Sequence, residues 1–270
     1  MKRLNKIYTA LVFLFLYAPM VVLILASFNT GKDITHFDGF TLQRYAELFR
    51  DSKLLPLLRN SLEIAFASSL IATVMGTAAA IGIHRMKPKM RAVVLTVTNI
   101  PMTNPDIVTG VSLSLLFVFL GALLRVKNIL SVWTLLIAHI TFNLPYVILN
   151  VMPKLAQMDR SLTEAAMDLG CTPFQAFYKV TLHEIMPGVA SGAIMAFTMS
   201  LDDFVISYFA YGPSFVTLPV EIYNYTKKPL QPKIYALFTL LFAMILVLMV
   251  GMNLLQARAE RKRQGAHQAG

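Results

Sequence analysis

Three aspartates, Asp106, Asp202 and Asp203, stand inside or next to long apolar runs. A carboxylate in hydrocarbon is expensive, so each is a candidate functional residue. Chemistry on a covalent bond needs a nucleophile with a base, or a metal set, and no such convergent group is present. The single cysteine, Cys171, excludes a disulfide framework and any CxxC metal or redox site. No G-x-x-x-x-G-K-[ST] run is present, so nothing here cradles nucleotide phosphates. What remains is carboxylate chemistry toward cations.

The surrounding residues frame those acids. Gly188, Gly192, Ala196 and Ser200 recur every four residues, a stripe for close helix packing. Asp203 falls near the middle of that stripe and Asp202 about 100° away, so one of the two at most points straight down a channel. The alternatives are a hydrogen bond to a neighbouring helix, or a carboxylate in water at a helix end. In Asn104-Pro105-Asp106, Asn104 caps a helix, Pro105 occupies its first position and Asp106 complements the dipole. That is a sufficient structural account. The other account rests on depth: the apolar run 92–102 precedes the break, so the helix starts inside the membrane, a recurring way to build a transport site. His139, Asn143, Tyr146 and Asn150 follow in steps of four, three and four, on one helical face with Pro145 as a kink. They either bond to a neighbouring helix or line a path; a lone histidine is not a metal site. Ala72, Gly76 and Ala80 form a second packing ridge. Tyr208, Tyr211, Tyr223 and Tyr225, with Glu221, are either interface-belt aromatics or rings suited to a cationic ligand.

The elements that carry these residues are membrane helices. The 270 residues are 56% hydrophobic and 14% charged, with mean hydropathy +0.62. Ordinary soluble domains are about 45–50% apolar and about 25% charged. Six apolar segments, at 7–28, 61–83, 107–124, 129–151, 189–211 and 234–255, each approach the length of about 20 residues that crosses a bilayer. Lipid forces them to be helical. The first is an uncleaved span rather than a signal peptide, since its apolar run is long and no small-x-small site follows. An even number of spans puts both termini on one side. The basic loop 85–91 and both tails place that side in the cytoplasm, so the net charge of +10 is a topology signal. The 258–263 basic cluster is a stop-transfer anchor at the lipid surface rather than a nucleic-acid footprint. Residues 1–6 form a cytoplasmic N-terminus, 7–256 the six-helix transmembrane domain and 257–270 a basic cytoplasmic tail. Behind Thr41, Leu42, Tyr45 and Phe49 fall on one face of an interfacial helix.

The loop 152–188 has a fold of its own. Ser161-Leu162-Thr163-Glu164 is a capping box, Gly170 a natural stop, and Thr172-Pro173-Phe174-Gln175 the start of a second helix. Two short helices joined by a glycine bend suit a surface hairpin, a helix-turn-helix or a docking element. Bracketing spans and a single base, Lys179, in the second helix argue against DNA.

Glu164-Ala165-Ala166-Met167-Asp168-Leu169-Gly170, then nine residues, then Val180-Thr181-Leu182, resembles the EAA loop of ABC-importer permeases, EAA-x3-G-x9-I-x-LP. The departure is His183 where that family has Pro, with Pro187 following. The resemblance implies an all-α, polytopic type I importer fold with cytoplasmic termini in a bacterial inner membrane. It implies that the region of Glu164, Ala165, Ala166, Asp168 and Gly170 fits a groove on an ATP-binding subunit. It also implies an ATPase dimer that binds ATP-Mg, a second permease and an extracytoplasmic binding protein, with no cofactor in this chain. Ser200-Leu201-Asp202-Asp203-Phe204-Val205, Asn104-Pro105-Asp106-Ile107-Val108 and His139-Ile140-Thr141-Phe142 are similar to spermidine/putrescine permeases of the PotC type. That likeness implies a polyamine pathway along Asp106, Asp202, Asp203, His139 and Asn143. The rivals are the same machine with iron or an oxyanion as cargo, and a channel or multi-pass membrane enzyme.

Overall fold

The computed structural model describes residues 2–31, 36–227 and 232–268. Apart from two isolated bridges, Asn29–Phe40 and Gly212–Phe215, the regular structure among them is helical. The chain falls into two compact units. One comprises Met1–Pro56 with Tyr225–Gly270, the other Leu57–Asn224. Among the described residues, six helices are long and apolar enough to cross a membrane.

In the first unit, α1 (Lys2–Ser27) packs against α12 (Pro232–Gln268), and α12 also meets the short α2 (Gln43–Arg50). The sequence placed Leu42, Tyr45 and Phe49 on the apolar face of α2. Leu42 and Phe49 are exposed, while Leu48 and Arg44 are buried. The Arg44 guanidinium donates to the carbonyls of Ala26 (3.1 Å) and Gly31 and so ties the end of α1 to α2. Ser27 and Tyr45 hydroxyls meet at 2.7 Å beside a stack of Phe28 on Phe40. Lys233 of α12 donates to Asp51 at 2.9 Å. That bond, helped by the Lys53 backbone N–H, holds the Asp51 carboxyl below its usual range.

The second unit contains α3 from Leu57 onward (the helix is Leu54–His84), α4 (Pro88–Thr103), α5 (Asp106–Leu123) and α6 (Val132–Gln157). After these come α7 (Arg160–Asp168), α8 (Pro173–Ala176), α9 (Leu182–Asp202), α10 (Val205–Ala210) and α11 (Leu218–Thr226). The core is the contact of α6 with α9. The stripe expected to pack does so: Gly188, Gly192, Ala196 and Ser200 are all buried. A Cβ on Gly188 would lie 2.8 Å from the Asn150 carbonyl oxygen, and one on Gly192 would lie 3.2 Å from the Val147 Cα. The α3 ridge closes on the same residue, since a Cβ on Gly76 would lie 2.7 Å from the Val147 Cβ. Val147 is therefore clasped between two glycines and has no exposed surface. Lipid is as apolar as a helix surface, so this close van der Waals approach, not water exclusion, holds the three helices together.

The segments differ from the sequence reading in several places, among them a fourth span that runs to Gln157 rather than 151 and a fifth that continues a helical run from Pro173 rather than starting at 189. The second span starts at Leu54 rather than 61. A separate helix, α4, fills the apolar run before Asn104. The fifth span ends at Asp202, not at 211, because the backbone of Asp203 turns extended (φ −67°, ψ 120°).

The loop between α6 and α9 also needs correction. Its first helix, α7, is capped by Asp159, whose carboxylate accepts from the Ser161 N–H at 3.0 Å. Asp159 outcompetes Ser161 because a carboxylate adds charge complementary to the helix dipole. The same Ser161 N–H bond holds the Asp159 carboxyl low. The glycine stop forms as expected. Gly170 sits at φ +88°, the Cys171 N–H donates to the Ala166 carbonyl at 3.1 Å, and the Gly170 N–H donates to Met167 at 2.9 Å. This is the Schellman arrangement. The Thr172–Gln175 capping box also forms. The second loop helix, however, is not a separate unit. A π turn (Phe177–Thr181) joins α8 to α9, so the chain stays helical from Pro173 to Asp202. His183, which keeps the N–H that Pro would lack, lies within that run.

Two outcomes are expected. Gly188→Ala forces a methyl onto a backbone carbonyl and should destabilise the detergent-solubilised protein by about 1–3 kcal/mol. Gly82→Ala, with open space around its Cβ, should be neutral or stabilising by up to about 1 kcal/mol. Thermal unfolding of the two variants distinguishes them. For Asp51, a carboxyl lowered in the folded state contributes stability that is present above its unfolded pKa and lost as pH falls. Lys233→Met should therefore lower the melting temperature at neutral pH, and its difference from the parent should shrink as pH falls below about 4.

Candidate functional site

The three aspartates occupy three different settings. Asp203 follows the last residue of α9 and caps α10. Its carboxylate accepts from the N–H groups of Ile206 (3.2 Å) and Ser207 (2.7 Å). These are donors that the start of a helix leaves unsatisfied, and an aspartate offers them a partner that a continuing helix would not. The Asp203 side chain is only 6% exposed, and His139 Nε2 of α6 lies 3.6 Å from it. Asp202, one residue earlier, is exposed. Asp106 is also exposed, at the first position of α5.

The roles around Asp106 shift by one residue from the sequence reading. Asn104 ends α4, its N–H donating to the Ile100 carbonyl at 3.1 Å, and Pro105 occupies the cap position of α5 without a side-chain bond. Pro105 disfavours a helical conformation at Asn104, and this breaks the apolar stretch into two helices.

The two breaks are neighbours. Helices α5 and α10 pack closely at Gly110, where a Cβ would lie 3.1 Å from the Phe209 ring, 3.4 Å from the Val205 carbonyl and 3.5 Å from the Ile206 Cα. Further along, Val118, Gly121 and Ala122 line a cavity of about 700 Å³ with Tyr208, Tyr211 and Pro213. Residue numbers rise together on both helices, so they run parallel. Asp106, one turn before Gly110, and Asp202–Asp203, just before Val205, therefore open the same ends of two adjacent helices. Beside them is an aromatic cluster. Phe204 stands 4.4 Å from Tyr223 and 5.5 Å from Tyr208, and Tyr208 lies 6.4 Å from Tyr211. Exposed carboxylates and ring faces together suit an organic cation.

His139 and Asn143 lie in the helix interior, His139 directly behind Asp203. Both are buried, on the face of α6 that meets α9 and α3. His139 Nδ1 is 2.6 Å from Ser200 Oγ of α9, and Nε2 is 2.9 Å from Ser207 Oγ of α10. Ser200 Oγ is in turn 2.9 Å from Ser68 Oγ of α3, which accepts from Asn143 Nδ2 at 3.4 Å. Of the two readings left open by the sequence, these contacts are interhelical bonding. Asn150 donates to the Tyr146 carbonyl at 2.8 Å, and Tyr146 is half-buried. The serines of this network and Phe204 were not legible as functional residues, because Ser in an apolar helix reads as a small packing residue. Among the described residues, no group of three His, Cys, Asp or Glu side chains is placed to hold a metal ion.

A second surface lies on the loop carrying the EAA pattern. Glu164, Ala165, Asp168 and Gly170 are exposed and Ala166 is half-buried. Leu169 is 87% exposed and Phe174 76%, an apolar pair flanking the glycine bend. Glu164 also borders a cavity of about 750 Å³ with Arg85, Arg91, Met167 and Thr181.

Residues 72–265 match the family model of the binding-protein-dependent transport system inner membrane component. The putrescine transport system permease protein PotI of Escherichia coli K12 is 39% identical over 259 residues, covering 93% of this chain and 90% of its own. The spermidine/putrescine transport system permease protein PotC of the same organism is 36% identical over 244 residues, 90% of each chain. The fold is similar to that in the crystal structure of a bacterial ABC transporter importing the acidic polysaccharide alginate. The TM-score is 0.71 at 20% identity, covering 95% of this chain and 96% of that one. The chain therefore belongs to the binding-protein-dependent transport system inner membrane components, the multi-pass permease subunits of ABC importers.

Proposed function

We propose that the cargo is a polyamine, spermidine or putrescine, passed along Asp106 and Asp202. The observation that carries this reading is the pairing of two exposed carboxylates, Asp106 at the start of α5 and Asp202 at the end of α9, with the rings of Phe204, Tyr208 and Tyr223. A polyamine alternates ammonium groups with methylene segments. Carboxylates satisfy the first, and ring faces attract the ammonium while covering the second. An oxyanion finds the opposite chemistry here: the helix N-termini that would receive it carry Asp106 and Asp203 already. The polyamine names of the similar permeases agree with this reading.

One such chain supplies half of a pathway, so a second, related permease completes it. The loop 152–188 and both termini face the cytoplasm. Leu169 and Phe174, exposed around the Gly170 bend, enter a groove on an ATPase subunit, and Glu164 meets a basic group there. ATP-Mg is bound and hydrolysed by the ATPase dimer. An extracytoplasmic binding protein delivers the polyamine to the outward-open pathway. Closure of the ATPases pushes the loop, and the helical run from Pro173 to Asp202 transmits the push to the α9–α10 break.

In the reconstituted complex, Asp106→Asn and Asp202→Asn should each lower spermidine uptake per catalytic encounter about tenfold, the effect of losing one charge-assisted contact. The double variant should lower it further. Full uptake by the double variant, measured with radiolabelled spermidine, refutes the pathway assignment. For the loop, Gly170→Val places a β-branched residue at φ +88°, which costs of order 1–2 kcal/mol. The expected result is loss of ATPase co-purification and of transport-coupled hydrolysis; unchanged coupling refutes the docking role.

A further inference from the structure

We propose that His139 is a positioning residue for the pathway: it pins the α9–α10 break and so decides which aspartate faces the cargo. The inference rests on the pathway reading given above and deepens it. Three observations carry it. First, the two ring nitrogens of His139 reach across the break. Nδ1 meets Ser200 on the last turn of α9 at 2.6 Å, and Nε2 meets Ser207 on the first turn of α10 at 2.9 Å. Imidazole is rigid, so bonding at both nitrogens sets the distance between the two helix ends. Second, Asp203 is drawn to the same place. It lies 3.6 Å from Nε2 while its oxygens accept from Ile206 and Ser207. An aspartate anchored in this way cannot turn outward, and its neighbour Asp202 projects about 100° round the helix from it. Third, the pin is itself braced. Ser200 contacts Ser68 of α3, and His139 is 1% exposed within the packed α6–α9 contact. Three helices, α6, α9 and α10, thus meet at the buried His139 ring, and α3 is joined to it through Ser200.

A histidine that merely fills space is replaced by leucine without consequence for the break; a pin is not. The test uses the assembled transporter in a Cys171→Ser background, with single cysteines at Asp202 or Ile206 as reporters. Ile206 is fully buried on α10, whereas Asp202 is exposed. A membrane-impermeant thiol reagent should label position 202 and spare position 206. His139→Leu should collapse this contrast at least about tenfold, as expected when buried polar partners lose their bonds. His139→Gln, which keeps a polar group toward Ser207, should restore most of it. An unchanged contrast in His139→Leu overturns the proposal. If His139→Leu does not assemble with the ATPase, Ser207→Ala, which removes one end of the bridge at little cost in volume, is read in the same way. Labelling does not depend on the cargo. A parent complex that fails to carry spermidine while the contrast behaves as stated overturns the polyamine reading alone and leaves the pin standing.

Discussion

The second unit depends on how closely α6 can approach its neighbours. In lipid, apolar side chains gain nothing by leaving the solvent, so helices associate through contact and a few bonds. Val147 supplies the contact, with Gly76 of α3 on one side and Gly192 of α9 on the other. Glycine is needed at both positions because any Cβ would displace the valine or its backbone. The same close approach brings the His139 ring within bonding distance of Ser200, two turns further along α9 from Gly192. The packing and the polar network are therefore one arrangement: the glycines set the separation, and the hydrogen bonds set the register.

At the far end of that seam the chain does what a membrane helix ordinarily avoids. It stops at Asp202, turns at Asp203 and restarts at Val205. The exposed N–H groups of α10 are satisfied by Asp203, and α5 makes a parallel start beside it at Asp106. Broken helices are tolerated in a bilayer only where the freed backbone finds a partner or lines a cavity. Here the Asp203 carboxylate is taken up by two backbone N–H groups, while Asp106 and Asp202 are exposed.

At the other end of α9 the loop 152–188 is continuous with a membrane helix. The Schellman turn at Gly170 fixes the angle between α7 and α8, and the π turn passes α8 into α9 without a flexible joint. Leu169, at the end of α7, and Phe174, at the start of the helical run to Asp202, are both exposed at this bend.

By itself, the sequence determined what lipid physics forces. The length and polarity of the apolar runs required helices, and the four-residue spacing of Gly188, Gly192, Ala196 and Ser200 required a close seam. Gly170 and Thr172–Gln175 required a bend between two helix starts, since their chemistry acts within a few residues. The EAA pattern marked the loop for the same reason: its motif is local. Only the tertiary structure decided the fate of each polar group. Whether Asp203 caps a helix or faces a path depends on where α9 ends. Whether His139 bonds or lines a path depends on serines 61 and 68 residues away. That the starts of α5 and α10 are neighbours depends on Gly110 admitting α10. Periodicity tells which face a residue occupies, but not which helix covers that face. A carboxylate's role is set by its covering neighbour, and that neighbour is chosen by packing between distant segments.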